Sequence, residues 1–340
     1  MTIHPPPREP YLDESRGVWV LSRYRDVLAA LREPRLWPAG SPGEDPRITR
    51  DEAGRLRLRG PTMDNLPAAR VAEWQQQLEP VARGLLQRLA GEQTVDLLTA
   101  FAMPLCLRFA LLVLDPPTHL HERLAGLGGD VFAATGAPDD SPLRAHASSA
   151  TAELETFLRG SVMPMPEPTF VALSQTTPRL LASIWIALFE HPAEIVRVRR
   201  CPDLWPLAVE ELLRYAGIVR RIWRQAKSHV EIGPVVIPEG QRVMLMLGSA
   251  NRDPEQFADP DRLDLGRRAS SQFALGAGRN SCAGASLVRT AVLLATEELI
   301  EHLPDAALCA QPQWRSGSGY CFPESVPVCL RRTAPTAVFT

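Results

Sequence analysis

Apolar and polar positions along this chain switch between two periods. Val18-Trp19-Val20-Leu21 is a short run of β-branched and aromatic residues, and Arg25 to Arg32 then takes up helical spacing that Pro34 closes. This predicts a strand followed by a helix. From Pro67 to Phe109 apolar residues recur at three and four, as in Leu78, Val81, Leu85, Leu86 and Leu89, so helices dominate there. A further helix is predicted from Ser148 to Leu158. Between Gly160 and Pro168 each proline removes a backbone donor and restricts its predecessor, which predicts a tight, non-helical connector.

Phe170 to Phe189 is apolar nearly all round, the pattern of a helix buried in a core. Helical spacing continues through Ala208 to Tyr215, and Val230 to Pro238 then reads as two short strands around a turn. A long loop with Asp253-Pro254 and Asp259-Pro260 leads to a glycine-rich segment at 276–284, a helix from Gly284 to Leu303 and a β-rich end. There is no internal repeat and no linker. The expectation is one domain over residues 1–340, mainly α with small β-sheets, with residues 1–15 irregular.

Composition narrows the function classes. With 45% apolar and 22% charged residues the chain has the make-up of a soluble globular protein able to bury a large core. A formal net charge of −2 leaves no cationic footprint for nucleic acid. The single lysine, Lys227, makes nearly all positive charge arginine, which marks no site. The six cysteines are scattered without a C-x-x-C pair, behind a proline-rich start with no secretory pattern. No stretch approaches the ~18 apolar residues a membrane span needs. A reduced, cytoplasmic setting without membrane contact is therefore expected. His119 and His121 are two apart and would face apart on a helix, so they are poor metal ligands, and His229 and His302 stand alone.

The chemistry concentrates in Gly276-Ala277-Gly278-Arg279-Asn280-Ser281-Cys282-Ala283-Gly284, three glycines around one cysteine just before a predicted helix. Glycines let the backbone adopt positive φ and pass close to a flat ligand. N–H groups at a helix start can hydrogen-bond a thiolate and lower its pKa. A thiolate so placed is an iron ligand, and in haem enzymes it pushes electron density onto the metal. Taken alone, the same string also describes a buried cysteine in a tight turn.

Two further strings stand upstream in order, Glu211-Leu212-Leu213-Arg214 and Asn251-Arg252-Asp253-Pro254 through Phe257-Ala258-Asp259-Pro260-Asp261-Arg262-Leu263-Asp264. Together with the glycine-cysteine loop they resemble the cytochrome P450 family, from Trp19 to Leu330. The resemblance implies a shortened P450 fold, with the usual first helix missing and the region before the central helix reduced. It implies haem b with Cys282 as the iron ligand, held by Gly276, Gly278 and Gly284. It also implies a structural network of Glu211 and Arg214 completed by Arg262. The alternative for Glu211 and Arg214 is an ordinary surface pair worth about 0.2–0.5 kcal/mol.

By the same resemblance, Arg224 matches a propionate-binding arginine. Other propionate partners are missing: Ala68 and Ala72 stand at the helix positions, Gln272 and Asn280 at the loop positions, and Arg279 is a candidate replacement. Leu275 stands where a phenylalanine usually packs near the sulfur. In the central helix Thr176 and Thr177 fall on the oxygen-side threonine pair, while a family glycine has become Leu173 and the family acid Gln175. An amide cannot relay a proton as a carboxylic acid can. Pro178 follows, and either interrupts the helix from within or marks its start, with Thr177 as N-cap. Substrate-touching positions carried over are Leu173, Ile218, Val219, Leu247, Gly248, Gly319 and Tyr320.

The resemblance thus implies an oxidoreductase that hydroxylates or otherwise tailors a small molecule in a biosynthetic pathway. Its electrons would come from a ferredoxin-type donor docked near Arg267, Arg268 and Arg279. Two alternatives remain: haem chemistry without dioxygen, driven by peroxide or redox-neutral, and a degenerate member that binds a partner or small molecule without turnover.

Overall fold

The computed structural model describes residues 8–38, 48–50, 56–58, 66–89, 91–135, 142–159, 167–268, 271–317 and 319–330. In chain order these form β1 (Tyr11–Asp13), β2 (Val18–Leu21), α1 (Tyr24–Arg32), β3 (Leu36–Pro38), β4 (Ile48–Arg50), β5 (Leu56–Leu58), α2 (Ala68–Leu89) and β6 (Thr94–Asp96). A π-turn at Leu98–Ala102 runs into α3 (Met103–Leu114), followed by α4 (His121–Ala133) and α5 (Pro142–Arg159). Next come α6 (Glu167–Val171), a second π-turn (Ala172–Thr176), α7 (Thr177–Glu190), α8 (Pro192–Arg200) and α9 (Trp205–Ala216). The remainder is β7 (Ile222–Ala226), β8 (Val230–Ile232), β9 (Val235–Ile237), β10 (Arg242–Leu245), α10 (Leu247–Ala250), α11 (Ala285–His302), β11 (Ala307–Leu308), β12 (Trp314–Gly317), β13 (Tyr320–Pro323) and β14 (Pro327–Cys329). The expected class, mainly α with small sheets, is what forms.

The chain divides into two compact units. The first comprises Met1–Leu66, Pro206–Ala285 and Ser316–Cys321. Its sheet has the order β1-β2-β10-β7-β3, parallel only between β2 and β10, where Val18 lies opposite Arg242 and Leu21 opposite Leu245. Residues 1–15 were expected to be irregular, yet Tyr11, Leu12 and Asp13 pair with Val20, Trp19 and Val18. A three-residue edge strand is too short for periodicity to reveal, and what holds it is the β2 edge itself. Behind the sheet, Leu21, Tyr24, Val27 and Leu31 share a core with Val243, Leu245, Phe257 and Phe273. The Tyr24 ring stacks on Phe273 at 4.4 Å and meets Phe257 edge-on, so this core runs straight into the segment leading to Cys282.

The second unit comprises Pro67–Trp205, Ser286–Arg315 and Phe322–Thr340. Its central helix is buried on nearly every side from Leu180 to Leu188, as the sequence predicts. Trp185 stacks on Phe101 at 5.4 Å and donates to Thr296 Oγ1 at 3.2 Å. The predicted connector at 160–168 is shorter than expected: Glu167 and Pro168 already belong to α6, because a proline in a first turn lacks only a donor that has no partner there. Residues 160–166 lie outside the described residues. The helix predicted over 148–158 begins at Pro142 for the same reason. Pro178 does not start the central helix. The run is helical on both sides of it, and the turn just before widens to i→i+5 bonding, with Thr177 N donating to Ala172 O.

Candidate active site

Cys282 sits on a turn that the sequence folds tightly. Its N–H donates to Leu275 O at 2.8 Å, Gly276 N donates to Phe273 O at 2.9 Å, and a single 3₁₀ turn spans Gly278–Asn280. Gly276 and Gly278 have φ of +71° and +70°, so both glycines are required by conformation. At Gly278 a Cβ would stand 2.7 Å from the Leu31 carbonyl oxygen, which presses the turn against the end of α1. Phe273 N donates to Asn251 Oδ1 at 2.8 Å, and Tyr24 Oη to Ser271 O at 2.8 Å, so the approach to the turn is pinned from two sides. The Cys282 side chain is partly exposed. Cys106, by contrast, is fully enclosed, and burial holds its thiol far above the ordinary range.

Behind the turn lies the charged network. Glu211 and Arg214 have side chains with no exposure at all, joined by two parallel bonds of 2.7 and 2.8 Å, so they are not a surface pair. Arg214 Nη1 also donates to the carbonyls of Asn251 and Pro260 at 2.8 Å each, tying α9 to the 251–264 loop. The third member was assigned wrongly from sequence. Arg262 is exposed and offers only its carbonyl, whereas Arg267 Nε reaches Glu211 Oε1 at 3.0 Å. Four residues of irregular loop lie between the two arginines, and no pattern in such a loop says which side chain turns inward. Arg267 is thus turned toward Glu211, whereas Arg268 is exposed. The Arg279 side chain lies outside the described residues.

Several carried-over substrate positions come together in the first unit. Val219 bridges Tyr320, Cys321 N donates to Ile218 O at 2.9 Å, and Gly248 N donates to Arg220 O at 3.0 Å. Leu247 belongs to the core shared with Tyr24. The Tyr320 phenol is pushed up in pKa, first by burial and then by the Cys282 charge, which places the ring within electrostatic reach of the sulfur. Arg224 is buried, with Nη1 on Trp223 O at 2.9 Å. Gln272 is committed to protein partners, donating to Glu210 Oε2 at 3.1 Å and accepting from Ala274 N at 2.5 Å. Asn280 is partly exposed.

In the second unit the π-turn holds the remaining candidates. Leu173 and Gln175 are buried, and α4 comes so close at Gly128 that a Cβ there would stand 3.2 Å from both Phe170 Cε1 and Ser174 Oγ. Thr177 Oγ1 donates to Ala172 O at 3.0 Å, while the partly exposed Thr176 hydroxyl has no hydrogen-bond partner among the described residues. Sequence reasoning passed over Arg179, whose guanidinium lies 4.1 Å over the Phe132 ring and bonds Gln175. Its place one turn beyond Gln175 was the available signal.

A family model for cytochrome P450 matches residues 204–304. Cytochrome P450-SU2 of Streptomyces griseolus is 30% identical over 87% of this chain and 82% of its own length. The chain belongs to the cytochrome P450 family. Nocardicin C N-oxygenase of Nocardia uniformis subsp. tsuyamanensis is likewise 30% identical, over 91% of this P450 and 89% of that enzyme. Among solved structures, CYP109B1 from Bacillus subtilis superposes with a TM-score of 0.79 at 22% identity, covering 94% of this chain and 95% of that one.

As a P450 the protein is a haem oxidoreductase, and its cofactor is haem b carried on a cysteine thiolate. The residues present fit that group. The Gly276 and Gly278 backbone leaves no Cβ in the cradle, and the one cysteine in that turn is partly exposed. Arg224 supplies a buried cation in the same unit. Among the described residues no helix is long and apolar enough to cross a membrane.

Proposed function

We propose that Cys282 would supply the thiolate that holds the haem in a P450 that oxidises a small molecule in a biosynthetic pathway, with electrons from a ferredoxin-type donor. The observation that carries this reading is the doubly left-handed glycine turn around a partly exposed cysteine, together with the buried Glu211–Arg214 pair and the partly buried Arg267 that joins it. Gly276, Gly278 and Gly284 would leave room for the haem in the cradle, and Arg224, with Asn280 and Arg279, would hold its propionates. When bound, haem b supplies iron-centred oxidation tuned by the sulfur. The chain's own residues shape what reaches it. Ile218, Val219, Gly248, Gly319 and Tyr320 line the substrate, and Thr176 holds a hydroxyl free to pass a proton. Relatives that include an N-oxygenase are consistent with tailoring chemistry on a small molecule.

A second reading, haem chemistry that does not require proton relay to dioxygen, is supported by Gln175. The amide stands where the family places an acid, and Arg179 holds it. The test of the first reading is the reduced, carbon-monoxide-treated absorption spectrum of the purified protein. A thiolate-type Soret band that disappears in Cys282→Ser is expected. A protein that stays colourless after reconstitution with haem, or a band unchanged in the variant, defeats it. NADPH consumption with a surrogate ferredoxin system, against peroxide alone, separates the two readings.

A further inference from the structure

A three-stranded sheet of the second unit brings two cysteines together, neither of which the haem reading uses. β14 is its middle strand, with β11 on one side and β6 on the other. Ala307 lies opposite Cys329 and Leu308 opposite Val328, and Cys309 N donates to Pro327 O at 3.0 Å, which continues the ladder by one residue. Cys329 is therefore the diagonal neighbour of Cys309. Residues two apart on a strand, and residues opposite one another, share one face of a sheet, so both thiols emerge on the same side. They meet there. Cys309 hydrogen-bonds the Cys329 sulfur, and its pKa is raised, first by loss of solvent and then by that contact. Cys309 is exposed and Cys329 half-buried, so a reagent in solution can reach the pair.

The two partners are not equally fixed. Cys329 sits on the middle strand opposite Thr94 of β6, and Leu330 N donates to Gln93 O at 3.0 Å. Cys309 only follows a two-residue edge strand. Diagonal neighbours in an antiparallel pair have Cα atoms about 7–8 Å apart, slightly beyond the span of an unstrained disulfide. A bond between the sulfurs therefore needs a small backbone shift, and the exposed edge can make it. A disulfide that is exposed and slightly strained is easily reduced again, which suits a reversible modification rather than a permanent staple.

We propose that Cys309 and Cys329 are a modification site, a dithiol that a small-molecule disulfide oxidises reversibly to an intramolecular bond. One cysteine thiolate attacks a sulfur of glutathione disulfide, so a mixed disulfide forms, the glutathione S–S bond breaks and one glutathione thiolate leaves. The second cysteine, having lost its proton to solvent, attacks the protein sulfur of that adduct, which forms the Cys309–Cys329 bond and releases the other glutathione. Both leaving thiolates take up protons. The cysteines lose two electrons and two protons, and glutathione disulfide gains them as two thiols.

The experiment incubates the full-length holoprotein with glutathione disulfide, blocks the remaining thiols with N-ethylmaleimide in denaturant and maps tryptic peptides by mass spectrometry. Cleavage after Arg315 puts Cys309 and Cys329 on separate peptides, joined only through the new bond. Wild-type protein is expected to become lighter by two hydrogens and to lose two of its six alkylatable cysteines, all six returning on treatment with reduced glutathione. Peptide 290–315 should appear joined to peptide 316–331, with fragmentation assigning the joint to Cys329 rather than Cys321. Cys309→Ser, at an exposed position, is expected to form no such bond. Wild-type protein in which all six cysteines stay alkylatable overturns the proposal, as does a glutathione adduct on either cysteine that is never resolved. A joint that uses Cys321 or a second chain, or an unchanged loss of two thiols in Cys309→Ser, overturns it equally.

Discussion

The Arg179 guanidinium donates from Nη1 to the backbone carbonyl of Gln175 at 2.7 Å and lies 3.4 Å from the Gln175 side-chain oxygen. The same cation rests on the Phe132 ring, with Phe322 5.6 Å away. Burial pushes its pKa down to about 10, and the nearby Arg315 adds to the effect, yet the group remains charged at neutral pH. Whatever occupies position 175 is therefore read by a fixed positive charge.

That relationship changes what restoring the family acid would do. In Gln175→Glu the new carboxylate would face Arg179, and an opposite charge at this range favours the ionised form, lowering its pKa. A carboxylate stabilised this way contributes stability above the unfolded pKa of about 4.3 and loses it as pH falls through the lowered folded value. At neutral pH it stays ionised and bound. Gln175→Glu alone is expected to leave the coupling of NADPH consumption to product nearly unchanged, and Gln175→Glu with Arg179→Ala to raise it. Full coupling in the single variant would show that Arg179 does not restrain the position.

The two threonines of the π-turn are predicted to separate. Thr177 uses its hydroxyl to hold the Ala172 carbonyl, so Thr177→Val should lower stability by about 1 kcal/mol. Thr176 has no such duty, so Thr176→Val should leave the melting temperature alone and alter turnover or coupling. Thermal unfolding and product assays on both variants check this. A stability loss confined to Thr176→Val contradicts it.

Much of this site was legible because its motifs are local. The glycines at 276 and 278 and the cysteine at 282 lie within seven residues, and the φ values they need follow from residue type. Glu211 and Arg214 lie one helical turn apart, a spacing that puts them on one face. Arg267 was not legible because its partner is far away in sequence and the intervening loop has no periodicity. Arg220 N and Arg221 N both donate to Gly319 O, about a hundred residues later, a register that exists only once the chain has folded. Arg179 was missed for another reason: nothing in its neighbours announces that Phe132 and Phe322 enclose it.

The charged network gives a graded prediction for urea denaturation. Arg214→Ala leaves Glu211 wholly buried with its bidentate partner gone, and should cost about 3–5 kcal/mol. Arg267→Ala removes the bond to the Glu211 carboxylate together with three more exposed bonds to the carbonyls of Ala258, Asp259 and Arg262, and should cost about 1.5–3 kcal/mol. Arg262→Ala touches an exposed side chain and should stay within about 0.5 kcal/mol. If Arg262→Ala proves as harmful as Arg267→Ala, the assignment of the inward arginine is wrong.

The two glycines of the cysteine turn should not respond alike. Alanine at either must adopt positive φ, a strain of about 1–2 kcal/mol. At Gly276 that is nearly all, since the nearest atom to the added Cβ is Ser281 Cα at 3.5 Å, an ordinary contact. At Gly278 the Cβ meets the Leu31 carbonyl oxygen at 2.7 Å, and backbone cannot swing aside as a side chain can. The turn must then lift from the end of α1, and Cys282, four residues on, moves with it. Gly278→Ala should therefore lose haem during gel filtration and show a weakened thiolate-type band, while Gly276→Ala keeps most of both. Equal retention in the two variants would mean that α1 does not set the position of the sulfur.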